Sequence, residues 1–259
     1  MNVKTVARRL LKAPFRALGL DVVRWRPPES QPVIPPEELE MIQAFSPQYK
    51  PENHWFAECG IQTVLDVGAH MGEFAQRIRT MLPDAELICF EPLEEPFTKL
   101  TKRFRGEPNF RAIRCALGEK AGQQEIRHNE YAPSSSLLPM TELHKQSFTF
   151  AVKEQTEMIE VRRLSDVVRE LNLRDPLMLK LDVQGFEDKV IAGGEDVVAR
   201  AKIIIIEASF QPLYEGGPLF DDIYRLLKEH GFTYNGNFEQ LFSPKDGRIL
   251  QADAIFSRQ

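Results

Sequence analysis

Two periods of apolar spacing alternate along the chain from Thr63 onward. "TVLDVG", "ELICFEP", "FRAIRCAL", "LMLKLDVQG" and "KIIIIEAS" are short apolar runs, the last two almost unbroken. Such runs predict strands covered on both faces, as in a parallel sheet. Between them the period lengthens. "EFAQRIRTML" places Phe74, Ile78 and Leu82 one helical turn apart and stops at Pro83. "PFTKLTKRF", "FEDKVIAGGEDVVARA" and "DDIYRLLKEHG" are further helices, the second weakened by Gly193-Gly194 and the third stopped by Gly231. The tail holds two strand-like runs around "SPKDG", an antiparallel pair at a sheet edge. Strand and helix repeated in this way predict an α/β protein with a doubly wound, mostly parallel sheet. A ligand then belongs outside the carboxyl ends of the strands, near the point where strand order reverses. That rule singles out Asp66–Gly68, Glu91–Pro92, Ala116–Gly118, Asp182–Gly185 and Glu207–Ser209.

Ahead of this pattern the chain changes character. Residues 1–26 interleave Lys4, Arg8, Arg9, Lys12 and Arg16 with Val3, Val6, Leu10, Leu11, Phe15 and Leu18. They predict a basic amphipathic helical extension with a break at Pro14. Such a helix either touches an anionic membrane surface through residues 1–20 or packs on its own domain or a partner. Residues 27–50 form a linker that begins with five prolines in "RPPESQPVIPPEE". Residues 51–259 form the main domain.

Composition excludes more than it identifies. A net charge of −5 leaves no global basic footprint, so nucleic acid is not an expected partner. Three scattered cysteines fit a reducing compartment and offer no disulfide framework. No apolar stretch reaches the roughly 20 residues of a spanning helix, and the N-terminus lacks the apolar core of a secretory signal. The expected location is the cytoplasm, with peripheral contact at the inner membrane face as the alternative that the N-terminal segment raises. The histidines show no metal-binding spacing.

The turn "VLDVGAHMGEF" narrows the ligand. It reads DxGxxxG and fails the GxGxxG pattern of dinucleotide folds. It also lacks the GK[ST] of a phosphate loop. Glu91 ends the next strand, where a carboxylate accepts hydrogen bonds from the hydroxyls of a ribose. A ribose without an essential pyrophosphate fits S-adenosylmethionine, with Asp66 near its ammonium and the Gly68–Gly72 turn facing its amino-acid end. A nicotinamide-dependent oxidoreductase is disfavoured by the same turn. A silent binding module that keeps the fold and lacks turnover is disfavoured by the set Asp66, Gly68, Glu91 and Asp182.

"VLDVGAHMGEF", "CFEP", "CALG", "SSSLL", "LSDVV" and "LKLDVQGFEDKVIAGG…IIIIEAS" together resemble the FkbM family of S-adenosylmethionine-dependent methyltransferases, over roughly residues 60–256. Gln184 departs from the pattern, where many members carry glutamate. The resemblance implies a Rossmann-like class I methyltransferase fold with seven strands, the last antiparallel, and O-methylation, often of sugar or polyketide hydroxyls; the expected acceptor is a hydroxyl of a saccharide or glycosylated metabolite. The expected cofactor contacts are Asp66, Gly68, Ala69, His70, Gly72, Glu91, Pro92, Ala116, Leu117, Ser136 and Asp182. An acceptor hydroxyl needs a base as it attacks, and Asp182, Glu187 and Glu207 are the candidates. The same three carboxylates raise a divalent-metal site as an alternative, but their spacing matches no metal motif, so no metal is expected. Cys115 is expected to be a buried filler. Phe186, Phe210 and Tyr214 are either a wall for a sugar ring or core.

Overall fold

The computed structural model describes residues 54–129, 132–147 and 155–258. The expected N-terminal helix and most of the proline-rich linker lie outside them. A 3-10 turn, Trp55–Cys59, leads into the main sheet. The strands and helices follow as β1 (Thr63–Val67), α1 (Glu73–Met81), β2 (Glu86–Phe90), α2 (Glu94–Arg103), β3 (Phe110–Ile113) and β4 (Ala116–Leu117). Next come β5 (Gly122–Asn129), β6 (Ala132–Ser136), α3 (Glu142–Ser147), β7 (Gln155–Arg162) and α4 (Leu164–Arg169). The chain closes with β8 (Leu177–Leu181), α5 (Glu187–Ala192), α6 (Glu195–Arg200), β9 (Ala201–Ser209), α7 (Phe220–Glu229), β10 (Thr233–Phe242) and β11 (Ile249–Ser257).

The main sheet has seven strands in the order β10-β11-β9-β8-β1-β2-β3. β1 pairs in parallel with both β2 and β8, so the order reverses beside β1. β11 runs antiparallel to β9 and to β10. The fold is therefore the α/β, mostly parallel sheet that the pattern predicts, with the seven strands that the family resemblance implies and the tail pair at its edge. A second sheet of four strands, β4-β7-β5-β6, stands apart from it.

Two sequence readings are corrected here. "FRAIRCAL" is not one strand. It breaks at Arg114-Cys115, and its halves join different sheets as β3 and β4. Between "FRAIRCAL" and "LMLKLDVQG" the apolar spacing predicts no strand, yet β5, β6 and β7 of the second sheet lie there. The Gly193-Gly194 pair does more than weaken a helix, since it divides α5 from α6. A side chain on Gly193 would meet the backbone oxygen of Gly118 at 2.0 Å, so the break lets two segments touch.

Alternation along the central strands sorts two cores. Leu65, Val67, Leu179, Leu181, Ile204 and Ile206 face one side with Val190, Val197 and Ile223. Val64, Met178, Ile203, Ile205 and Ile255 face the other with Ala75 and Ile78 of α1. Each such side chain contributes about 1.5–3 kcal/mol by leaving water. Toward the carboxyl ends this second face changes chemistry. Period two continues from Val64 to Asp66 and Gly68, from Met178 to Lys180 and Asp182, and from Ile205 to Glu207. Charged groups thus replace apolar ones where the strands end.

Candidate active site

A cavity of about 960 Å³ opens at those strand ends. On one side it is lined by Gly68, Ala69, His70, Glu91, Pro92, Ala116 and Leu117. Gly68 has φ 84°, and a Cβ there would meet the backbone oxygen of Asp182 at 1.8 Å. Only glycine allows the ends of β1 and β8 to lie this close. His70 follows at φ 48°, and its N–H donates to Oε2 of Glu91 at 2.9 Å. The Leu93 N–H donates to Oε1 of Glu91 at 2.9 Å. Two backbone donors thus fix a buried carboxylate, yet burial still pushes its carboxyl up to about 7. Cys115 also lines this side, and burial pushes its thiol up to about 12, so it behaves as a filler.

The other side carries the charges. Asp182 directly follows β8, Glu207 lies two residues before the end of β9, and one amide group joins them. Nε2 of Gln184 donates to Oδ1 of Asp182 and to Oε2 of Glu207, each at 2.8 Å. The Tyr214 hydroxyl donates to Oε1 of Gln184, which settles the orientation of the amide. The Ser136 hydroxyl donates to the Gln184 backbone oxygen at 2.7 Å. Gln184 sits at φ 57°, a left-handed conformation that these bonds hold in place. Burial, then Asp182 and Glu187, push the Glu207 carboxyl well above its ordinary range.

Beneath this pair lies Lys180, only 2% exposed. Its Nζ is 2.8 Å from Oδ1 of Asp253 and 3.3 Å from Oδ2 of Asp182. Burial works against its charge, but Asp182 and Asp253 outweigh burial and hold the ammonium above its ordinary value. A buried lysine costs more than an apolar side chain contributes and persists only when paired in this way.

The expected site residues divide into two groups. Gly68, Ala69, His70, Glu91, Pro92, Ala116, Leu117, Asp182 and Glu207 surround one cavity. Asp66, Gly72, Ser136 and Glu187 are outside its lining. Asp66 is buried below it, in register with Lys180, and burial pushes its carboxyl up to about 7. Gly72 clears room for Leu100, where a Cβ would stand 2.7 Å from Cδ1. Oε1 of Glu187 accepts from the N–H groups of Val183 and Gly185 at 3.0 and 3.2 Å, so Glu187 shapes the loop after β8. Of the aromatics, Phe186 lines the cavity, Tyr214 braces Gln184, and Phe210 stacks on Phe220 with ring centres 5.1 Å apart.

Sequence reasoning missed Lys180, Asp253, Gln251, Glu239, Arg77 and His144, which also line the cavity. Lys180 had a signal: a lysine inside "LMLKL", two residues before Asp182 and so on the same face. Asp253 had none, because its role depends on how β11 pairs. No group of three or more His, Cys, Asp or Glu side chains is arranged for a metal ion among the described residues.

The Methyltransferase FkbM domain family matches residues 66–234. The chain belongs to the FkbM methyltransferase family. The 2-O-methyltransferase NoeI of Sinorhizobium fredii is 28% identical over 59% of this chain and 65% of its own length, just under two thirds. The 31-O-demethyl-FK506 methyltransferase FkbM of Streptomyces tacrolimicus is 27% identical over 70% of this chain and 76% of its own. Among solved structures, the chain is similar to the magnesium protoporphyrin IX methyltransferase of Synechocystis PCC 6803. That likeness has a TM-score of 0.44 at 11% identity, covering 100% of this chain and 98% of that one. The family match begins at Asp66, the residue before the last of β1, just below the cavity.

Proposed function

We propose that this FkbM-family methyltransferase transfers a methyl group from S-adenosylmethionine to a hydroxyl of a saccharide or glycosylated metabolite. The observation that carries the reading is one cavity holding both Glu91 and the Asp182–Gln184–Glu207 bridge.

The residues present fit the cofactor. Glu91 keeps a second lone pair on each oxygen for ribose hydroxyls. Phe90, Pro92, Ala116, Leu117 and Ile126 make an apolar slot of the kind adenine needs. Gly68 leaves backbone open to close approach. When bound, S-adenosylmethionine supplies a methyl group already activated by its sulfonium. What remains for the chain is to orient an acceptor oxygen, exclude water and remove a proton. Asp182 and Glu207 are the cavity carboxylates in position to take it.

The charged half of the cavity supports a polyhydroxylated acceptor. Asp182, Glu207, Asp253, Glu239, Gln251 and Phe74 set planar hydrogen-bonding groups beside an aromatic ring, a lining suited to sugar hydroxyls. The relative NoeI bears the name of a 2-O-methyltransferase, which is consistent with oxygen as the acceptor atom.

Calorimetric titration with S-adenosylmethionine, S-adenosylhomocysteine and NAD tests the cofactor, with Glu91→Ala as control. Binding of the first two, lost in the variant, supports the reading. Incubation with neutral glycosides then tests the acceptor through released S-adenosylhomocysteine and a methylated product. A folded protein that binds neither sulfur ligand removes the proposal.

A further inference from the structure

We propose that Lys180 and Asp253 are positioning residues that make Glu207, rather than Asp182, the group taking the acceptor proton. This rests on the methyl-transfer reading above and assigns the base that reading leaves open.

The three carboxylates differ in what already holds them. Both oxygens of Asp182 are engaged, Oδ1 by Gln184 and Oδ2 by Lys180. Asp253 has the ammonium at 2.8 Å. Glu207 accepts from Gln184 through Oε2, and no donor among the described residues bonds its Oε1. Register sharpens the contrast. Asp253 stands directly opposite Glu207 across the β9–β11 pair. Like charges in that position repel, so one of the two binds a proton more readily. The ammonium sits against Asp253, which leaves the proton to Glu207. Asp182 stands on the other flank and pushes the same way.

Every charged or titratable group around Glu207 enters this balance. β8 contributes Lys180, the residue after it is Asp182, α5 contributes Glu187, β11 contributes Asp253, and Tyr214 comes from the segment after β9. Asp66 on β1 acts on Asp182 and Lys180, and Glu239 on β10 acts on Asp253. Lys180 is the buried cation among them. The step itself balances. The acceptor oxygen forms its bond to the methyl carbon, the electron pair of the broken carbon–sulfur bond stays on sulfur, and the hydroxyl proton passes to Glu207 and then to water.

Two variants are expected to move the proton affinity of Glu207 in opposite directions. Asp253→Asn removes a negative neighbour and lowers it. Lys180→Met removes the positive one and raises it. Each shift is about one pH unit, and the double variant returns near wild type. The first readout needs no cofactor: glutamate Cδ-labelled protein is titrated by NMR, with Glu207→Gln assigning the resonance. The second is the acid limb of kcat/KM, which follows the same shifts, down for Asp253→Asn and up for Lys180→Met. Glu207→Gln should lower kcat about 10²–10³-fold while KM for the cofactor holds. A merely structural ion pair would weaken both variants alike without opposed shifts. Shifts in the same direction, or none, overturn the proposal. If Lys180→Met does not fold, an unmoved Glu207 in Asp253→Asn overturns it alone. Opposed NMR shifts in a protein that methylates no acceptor sink the methyl-transfer reading, and with it the role of Glu207 as base.

Discussion

Glu91 shows how little freedom a single buried carboxylate has here. Each oxygen accepts one backbone N–H, from His70 and from Leu93. A glutamine would turn an NH₂ toward one of those donors, so Glu91→Gln is not a mild change. Either Glu91→Gln or Glu91→Ala is expected to weaken S-adenosylmethionine binding by about tenfold to a hundredfold, read by calorimetry with the far-UV spectrum intact. Glu187 behaves differently, because one oxygen accepts both of its bonds. Burial pushes its carboxyl up to about 7, against an ordinary value near 4.5. The folded chain therefore binds a proton there that the unfolded chain releases, and stability falls as pH rises from about 4.5 to 7. Glu187→Gln keeps the accepting oxygen and removes the titration. Its melting temperature should match wild type at pH 5 and exceed it at pH 8. An equal pH slope in both proteins would count against this.

The elements sort by how they announce themselves. β1, β2, β8 and β9 were legible because parallel strands are covered on both faces and leave unbroken apolar runs. Glu91, Asp182 and Glu207 were legible with them, as polar residues that end such runs. The second sheet was not. β5 and β7 read "GQQEIRHN" and "QTEMIEVR", and only Ile126, Ile159 and Val161 of these strands are buried apolar residues. A strand covered on one face at a few positions resembles a polar loop. Its place at a strand end predicts Asp66 near the cofactor's ammonium, but its register beside Lys180 places it under the floor. Ser136 joins the second sheet to the loop after β8 through the Gln184 backbone oxygen, and its hydroxyl also accepts from the Leu138 N–H. Ser136→Ala is expected to lower kcat about tenfold with cofactor affinity unchanged, since each bond contributes about 1 kcal/mol. Loss of cofactor binding instead would show that Ser136 acts on the cofactor and not through Gln184.

Across the whole chain the described residues contain no helix long and apolar enough to cross a membrane. The basic N-terminal segment lies outside them, and its role rests on its sequence. If residues 1–26 touch an anionic membrane rather than pack on protein, removing them abolishes binding to vesicles of anionic lipid and leaves the calorimetric cofactor affinity intact. Unchanged vesicle binding would discard the membrane reading.

β4 and β7 run side by side in parallel, with Ala116 against Val161 and Leu117 against Arg162. The chain therefore leaves the doubly wound framework at Gly118 and re-enters it at α4 almost where it left. A further bond, Gly118 N–H to the Arg162 oxygen at 3.0 Å, closes that gap. Everything between is a loop in the topological sense, a cassette with both ends pinned together. Such a cassette can be lengthened, shortened or exchanged at its far end without stretching the seven-stranded framework. Length and sequence can then drift in the cassette under selection while β1, β8 and β9 keep their register.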